Sequence, residues 1–151
     1  MRWWCSHELH QIVAMKLPLR LITLALGFAT GLFSPMVSAD ALLRCELTYA
    51  GSTQVLEATA VRDPYPVPSV DIGGRFWFKA VMVGQAARVD YIKLYAYLDT
   101  PKQALLLQEA VYLPPFQTGS APYSLTGRQH LYADVMEREL IYHCSLQGVQ
   151  P

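Results

Sequence analysis

Leu43-Arg44-Cys45-Glu46-Leu47-Thr48-Tyr49 and Leu140-Ile141-Tyr142-His143-Cys144-Ser145-Leu146 decide the fold of this chain. In the first segment apolar and polar residues strictly alternate, the pattern of a strand with one face buried. The second nearly repeats it, with Leu140, Tyr142, Cys144 and Leu146 on one face. Each segment carries a cysteine, and both cysteines fall on the apolar face. The two strands are therefore expected to meet inside the protein, as neighbours in one sheet or across two sheets. A Cys45–Cys144 disulfide requires Cα atoms within about 7 Å. The competing use of these thiols, a metal site, needs further ligands nearby. Only His143 is close in sequence, and adjacent strand residues point to opposite faces.

Outward from these anchors the alternation continues. Thr53 to Arg62 follows the turn signal Ala50-Gly51-Ser52, so the first two strands read as a hairpin. Asp63-Pro64-Tyr65-Pro66-Val67-Pro68 cannot donate a regular ladder and reads as a loop or blunted edge. Gly73-Gly74 introduces a Phe/Trp/Val-rich run from Arg75 to Val83. Gly84-Gln85 separates it from a strand over Val89 to Leu98. Ala104 to Leu113 is a further apolar run ended by Pro114-Pro115, and Thr126-Gly127 reads as a turn before Gln129 to Ala133.

The expected fold is all-β: an antiparallel β-sandwich or small barrel of about seven strands, its terminal strands joined by the disulfide. The alternative is an α+β fold with one short helix. Lys102 to Val111 is rich in helix formers, and Tyr132 to Tyr142 has a helical option at its start.

The N-terminal segment has a different character. Met15-Lys16-Leu17-Pro18-Leu19-Arg20 is basic, Leu21 to Phe33 is apolar, and Val37-Ser38-Ala39 offers the small residues that a signal peptidase reads. Residues 1–39 are expected to be an N-terminal extension and secretory signal peptide, with translation beginning at Met15. The alternative is a retained membrane anchor, which Gly27, Gly31 and Pro35 weaken as a spanning helix. Residues 40–151 then form a single exported domain, periplasmic or secreted. This compartment supports the disulfide, because oxidising environments preserve such bonds.

Charge excludes some partners. The 151 residues carry 12 basic and 12 acidic side chains, so nothing draws the chain to nucleic acid. After signal cleavage no stable membrane span is expected.

The usual signatures of catalysis are missing. There is no GxSxG, GxGxxG, Walker-type loop, HExxH or CxxC. A hydrolase would need a site assembled in space, for example Ser120 or Ser124 with His130. His143, on the polar face of the last strand, reads as a solvated histidine. Asp63, Asp71, Asp90, Asp99 and Asp134 sit at turns or strand ends. There a carboxylate caps local backbone more simply than it holds calcium. No cofactor and no metal is expected.

The feature above background is tyrosine. In Val89-Asp90-Tyr91-Ile92-Lys93-Leu94-Tyr95-Ala96-Tyr97-Leu98, one face carries Ile92, Leu94, Ala96 and Leu98. The opposite face carries Tyr91, Lys93, Tyr95 and Tyr97. Trp77 and Lys79 extend that face if the preceding strand pairs with this one. Such rings suit protein or sugar recognition, although cross-strand aromatic pairs also stabilise sheets without a ligand. Tyr91, Tyr95, Tyr97 and Trp77 are the candidate ligand-binding residues. Phe116, presented by Tyr112-Leu113-Pro114-Pro115, is either a second contact or a plug for the core.

Three functional expectations follow. The first is a non-catalytic binding or interaction module of the cell envelope, engaging an envelope protein or glycan. The second is a small barrel with an apolar ligand or lipid in a cavity lined by Phe76, Phe78, Leu94 and Leu107. The third is a hydrolase with a spatially assembled site.

Overall fold

A computed structural model of the chain describes residues 39–133 and 138–151. Among these residues there are eight strands and no helix: β1 Leu42–Tyr49, β2 Ser52–Thr59, β3 Val70–Ile72, β4 Phe76–Gln85, β5 Arg88–Leu98, β6 Leu105–Tyr112, β7 Tyr123–Ala133 and β8 Arg138–Gln147. They form two antiparallel four-stranded sheets, ordered β2-β1-β8-β7 and β3-β4-β5-β6, as in a β-sandwich. The signal peptide expected over residues 1–39 lies outside the described residues apart from Ala39.

The two anchor segments are neighbours in one sheet. β1 and β8 pair antiparallel, with Cys45 directly opposite Cys144, and the disulfide joins them at a Cα–Cα distance of 4.0 Å. This close approach has a local cause. The N–H of Cys144 points away from β1 and donates to Thr126 Oγ1 on β7 at 2.9 Å. Cys45 and Cys144 therefore form a non-hydrogen-bonded pair, the antiparallel position at which facing side chains come closest.

The inner faces follow the alternation. Leu43, Cys45 and Leu47 of β1 and Leu140, Tyr142, Cys144 and Leu146 of β8 are fully buried. They meet Phe76, Phe78, Ala80 and Met82 of β4 and Ile92, Leu94 and Ala96 of β5. Aromatic rings cross the gap: Phe78 lies 5.1 Å from Tyr142, and Tyr49 meets Phe76 edge-on at 5.2 Å. The Phe76, Phe78 and Leu94 expected around a ligand cavity are thus part of the packed core, with Leu107 half-buried at its margin. Phe116 also packs against this core, which assigns it the role of plug.

Two features depart from the sequence reading, and one ambiguity is resolved. β3 is a three-residue edge strand whose hairpin to β4 turns through Gly73 and Gly74, both at positive φ. The run Ala104 to Leu113 contributes strand β6 and not the alternative helix, because its partner β5 supplies a ladder and half-buried Gln108, Ala110 and Tyr112 alternate toward the core. Thr126-Gly127 is a bulge inside β7 rather than a turn before it. Between Ser124 and Arg128 three β7 residues face Cys144 alone, with Gly127 at φ 65°.

After β2 the chain crosses to the second sheet. Val61 forms a bridge with Val83 at the edge of β4: the Val61 N–H donates to the Met82 carbonyl at 2.9 Å, and the Gly84 N–H donates to the Val61 carbonyl at 3.0 Å. The proline-rich segment that follows runs on from this bridge to β3.

Candidate functional site

The outer face of the second sheet carries the aromatic residues. β4 and β5 pair so that Trp77 stands opposite Tyr97, Lys79 opposite Tyr95, Val81 opposite Lys93 and Val83 opposite Tyr91. All four candidate residues, Tyr91, Tyr95, Tyr97 and Trp77, therefore share one face with Lys79 and Lys93, and each is half-buried. The rings of Tyr95 and Tyr97 stack at 6.2 Å with an interplanar angle of 16°. Side chains two apart on one strand stand side by side, so this stacking follows from the strand period itself.

Sequence reasoning missed the other wall. The proline-rich segment folds onto the face and lines two adjoining grooves. One, of about 460 Å³, lies among Val67, Pro68, Ser69, Trp77, Lys79, Tyr97 and Ala104. The other, of about 380 Å³, lies among Pro64, Tyr65, Val81, Tyr91, Lys93 and Tyr95, with Lys79 and Tyr97 again. Lys79 and Tyr97 thus sit where the grooves join. The signal for this cover was in β4, which reads Phe-Trp-Phe-Lys-Ala-Val-Met-Val and is apolar on both faces. Strands of that kind are buried on both sides, and the outward Val81 is indeed only 3% exposed.

The electrostatics of the face are uneven. Lys93 Nζ lies 3.2 Å from Glu109 Oε1 on β6, and that hydrogen bond, reinforced by Tyr95, holds the ammonium pKa above its ordinary value. Burial, with the Tyr95 and Glu109 charges behind it, pushes the Tyr97 phenol up, so it remains a neutral donor. Lys79 has no ion-pair partner among the described residues. Lys79 and Lys93 are balanced on this face by Glu109 and by Asp71, which stands opposite Trp77, so what sets Lys79 apart is the lack of an ion-pair partner and not a net positive charge.

The two histidines among the described residues, His130 and His143, occupy the outer face of the other sheet. Ser124 Oγ is 3.1 Å from His143 Nε2, and it also accepts the Gly127 N–H at 3.2 Å. The Ser124–His130 pair given as an example of a hydrolase site does not form: His130 Nδ1 meets Glu139 Oε1 at 2.5 Å. That bond, then Tyr132, lowers the Glu139 pKa below the usual carboxylate range. Glu46 stands opposite His143 in register, but its carboxylate is held by Arg44 at 2.7 Å. Neither Ser124 nor His143 lines the grooves described above.

The aspartates cap turns. Asp63 Oδ1 accepts the Tyr65 N–H at 3.0 Å, and Asp71 accepts the Gly74 N–H at 3.0 Å. Among the described residues no group of three or more His, Cys, Asp or Glu side chains is placed to hold a metal ion. A third cleft, of about 360 Å³, opens beside the core between β2 and β4 under the proline-rich segment. Leu56, Ala58, Val61, Val67, Val70, Ala80 and Met82 line it.

No family model matches this chain, and neither a curated protein nor a solved structure matches it.

Proposed function

We propose that this chain is an exported, non-catalytic binding module of the cell envelope, and that Tyr91, Tyr95, Tyr97 and Trp77 form its contact surface. The observation that carries this reading is the pair of grooves between these rings and the proline-rich segment. Their volumes fall in the range of about 300–1,000 Å³ usual for ligand sites. Half-buried rings are already held by their neighbours, so binding orders them at little further entropic cost. Export is supported by the basic and apolar order of residues 15–39 and by a disulfide of the kind that oxidising compartments preserve.

The test is capture from an envelope extract, comparing the protein with a variant in which Tyr91, Tyr95 and Tyr97 are all serine. Capture is expected to be lost while the circular dichroism spectrum is unchanged. Equal capture by both would remove the surface.

A second reading rests on the apolar cleft beside Ala80 and Met82, which suits a small apolar molecule rather than the interior cavity first expected. Native mass spectrometry distinguishes the two: a copurified lipid displaced by Ala80→Phe favours the cleft.

A further inference from the structure

We propose that the ligand of the aromatic face is an acidic oligosaccharide, with sugar rings lying along the two grooves and a carboxylate meeting Lys79. The inference rests on the reading above of this face as the contact surface.

Three observations lead to it. First, the site is two contiguous grooves that join at Lys79 and Tyr97, which fits a chain of small rigid units better than one compact molecule. Second, its walls are amphipathic rings. Trp77, Tyr95 and Tyr97 present apolar faces and polar tips, which matches a saccharide with C–H faces and a hydroxyl rim. Val81, at the floor of the second groove, is only 3% exposed, so the face presents rings and lysine stems and not a flat apolar patch of the kind a protein interface buries. Third, one cation of the face is left without an ion pair. Glu109 answers Lys93 at 3.2 Å, and Asp71, opposite Trp77, accepts the Gly74 N–H and makes no ion pair with Lys79. Lys79, half-buried at the junction of the grooves, has no carboxylate beside it among the described residues. A ligand carboxylate there completes a charge-assisted hydrogen bond.

The experiment is calorimetric titration of the disulfide-bonded protein with trigalacturonate, trimannuronate and a hyaluronate tetrasaccharide, each beside its methyl ester, and with triglutamate. At least one acidic sugar is expected to bind about tenfold or more tightly than its ester, the factor that one charge-assisted bond supplies. Lys79→Gln should bring acid and ester to equal affinity, and Lys79→Arg should restore the difference. Equal binding of acid and ester by the unaltered protein overturns the acidic specificity and leaves the surface intact. Binding of triglutamate alone assigns the face to acidic peptides and overturns the sugar. Failure of every sugar, with envelope capture still dependent on the tyrosines, overturns this inference only. Failure of both removes the surface with it.

Discussion

Tyr142 on β8 donates its hydroxyl hydrogen to Gln108 Oε1 on β6 at 2.7 Å, so a buried phenol of one sheet is satisfied by the edge strand of the other. Tyr142 is 1% exposed, and water cannot readily replace that partner. Gln108→Leu is expected to cost about 1–3 kcal/mol, the penalty of stranding a buried hydroxyl. Tyr142→Phe in the Gln108→Leu background should recover part of that loss, because the stranded group is then gone. Urea denaturation of the two variants checks both statements.

Burial, with Tyr112 adding to it, pushes the Tyr142 phenol up to about 12 from 10.0. The folded state therefore holds this proton more tightly than the unfolded chain does. Its contribution to stability is complete below pH 10 and is lost as pH rises from 10 to 12. An ultraviolet titration should show one of the nine tyrosines ionising near pH 12, and the denaturation midpoint should fall across the same window. A single transition near 10 for all nine would contradict the packing.

The disulfide closes a loop of about 100 residues, for which chain entropy gives about 4.7 kcal/mol, with native cases usually worth about 2–5. Cys45→Ala with Cys144→Ala is expected to lose stability in that range. Both cysteines are fully buried. A mild reductant should therefore leave the native bond intact and cleave it once denaturant is added, as thiol counting would show.

Two residues of the β4–β5 hairpin respond oppositely. Ala86 has φ 53°, a conformation costing an L-residue about 1–2 kcal/mol. Ala86→Gly relieves that strain, and the added freedom of the unfolded chain offsets about 0.4–1 kcal/mol of it. A net gain of about 0.5 kcal/mol is expected. At Gly84 a Cβ would lie 2.1 Å from the Arg88 carbonyl oxygen, where backbone must move. Gly84→Ala should cost about 1–3 kcal/mol. Thermal melts of both variants test the pair.

The strands that anchor the sandwich were legible because one face of each is buried and the side-chain period shows it. Cys45 and Cys144 could be placed together from their faces alone. Their choice between neighbouring strands and facing sheets was not legible, because pairing is a property of two segments. β6 was ambiguous for a related reason: local preference over Lys102 to Val111 favours a helix, and pairing with β5 outweighs it. β3 was missed because three residues carry no period. Gly127 was read as a turn because a positive φ serves a bulge and a turn equally well.

At the site, Tyr91, Tyr95, Tyr97 and Trp77 were legible by alternation, and the structure brings them onto one face. The groove was not legible, because its second wall comes from Pro64 to Pro68, a segment without periodicity. The Ser124–His130 pair offered as an example of a hydrolase site does not form, because both residues lie on β7, too far apart along one strand to meet. Pairing with β8 brings His143 to Ser124, which only the register across two strands could show.

The most direct test of the aromatic face is covalent tyrosine labelling of the protein, free and bound to its captured partner. Tyr91, Tyr95, Tyr97 and the exposed Tyr65 of the proline-rich segment should lose labelling in the complex. Tyr132, exposed on the other sheet, should label at the same rate in both states. Protection of Tyr132 with undiminished labelling of the other four would place the contact on the opposite sheet and contradict the proposed surface.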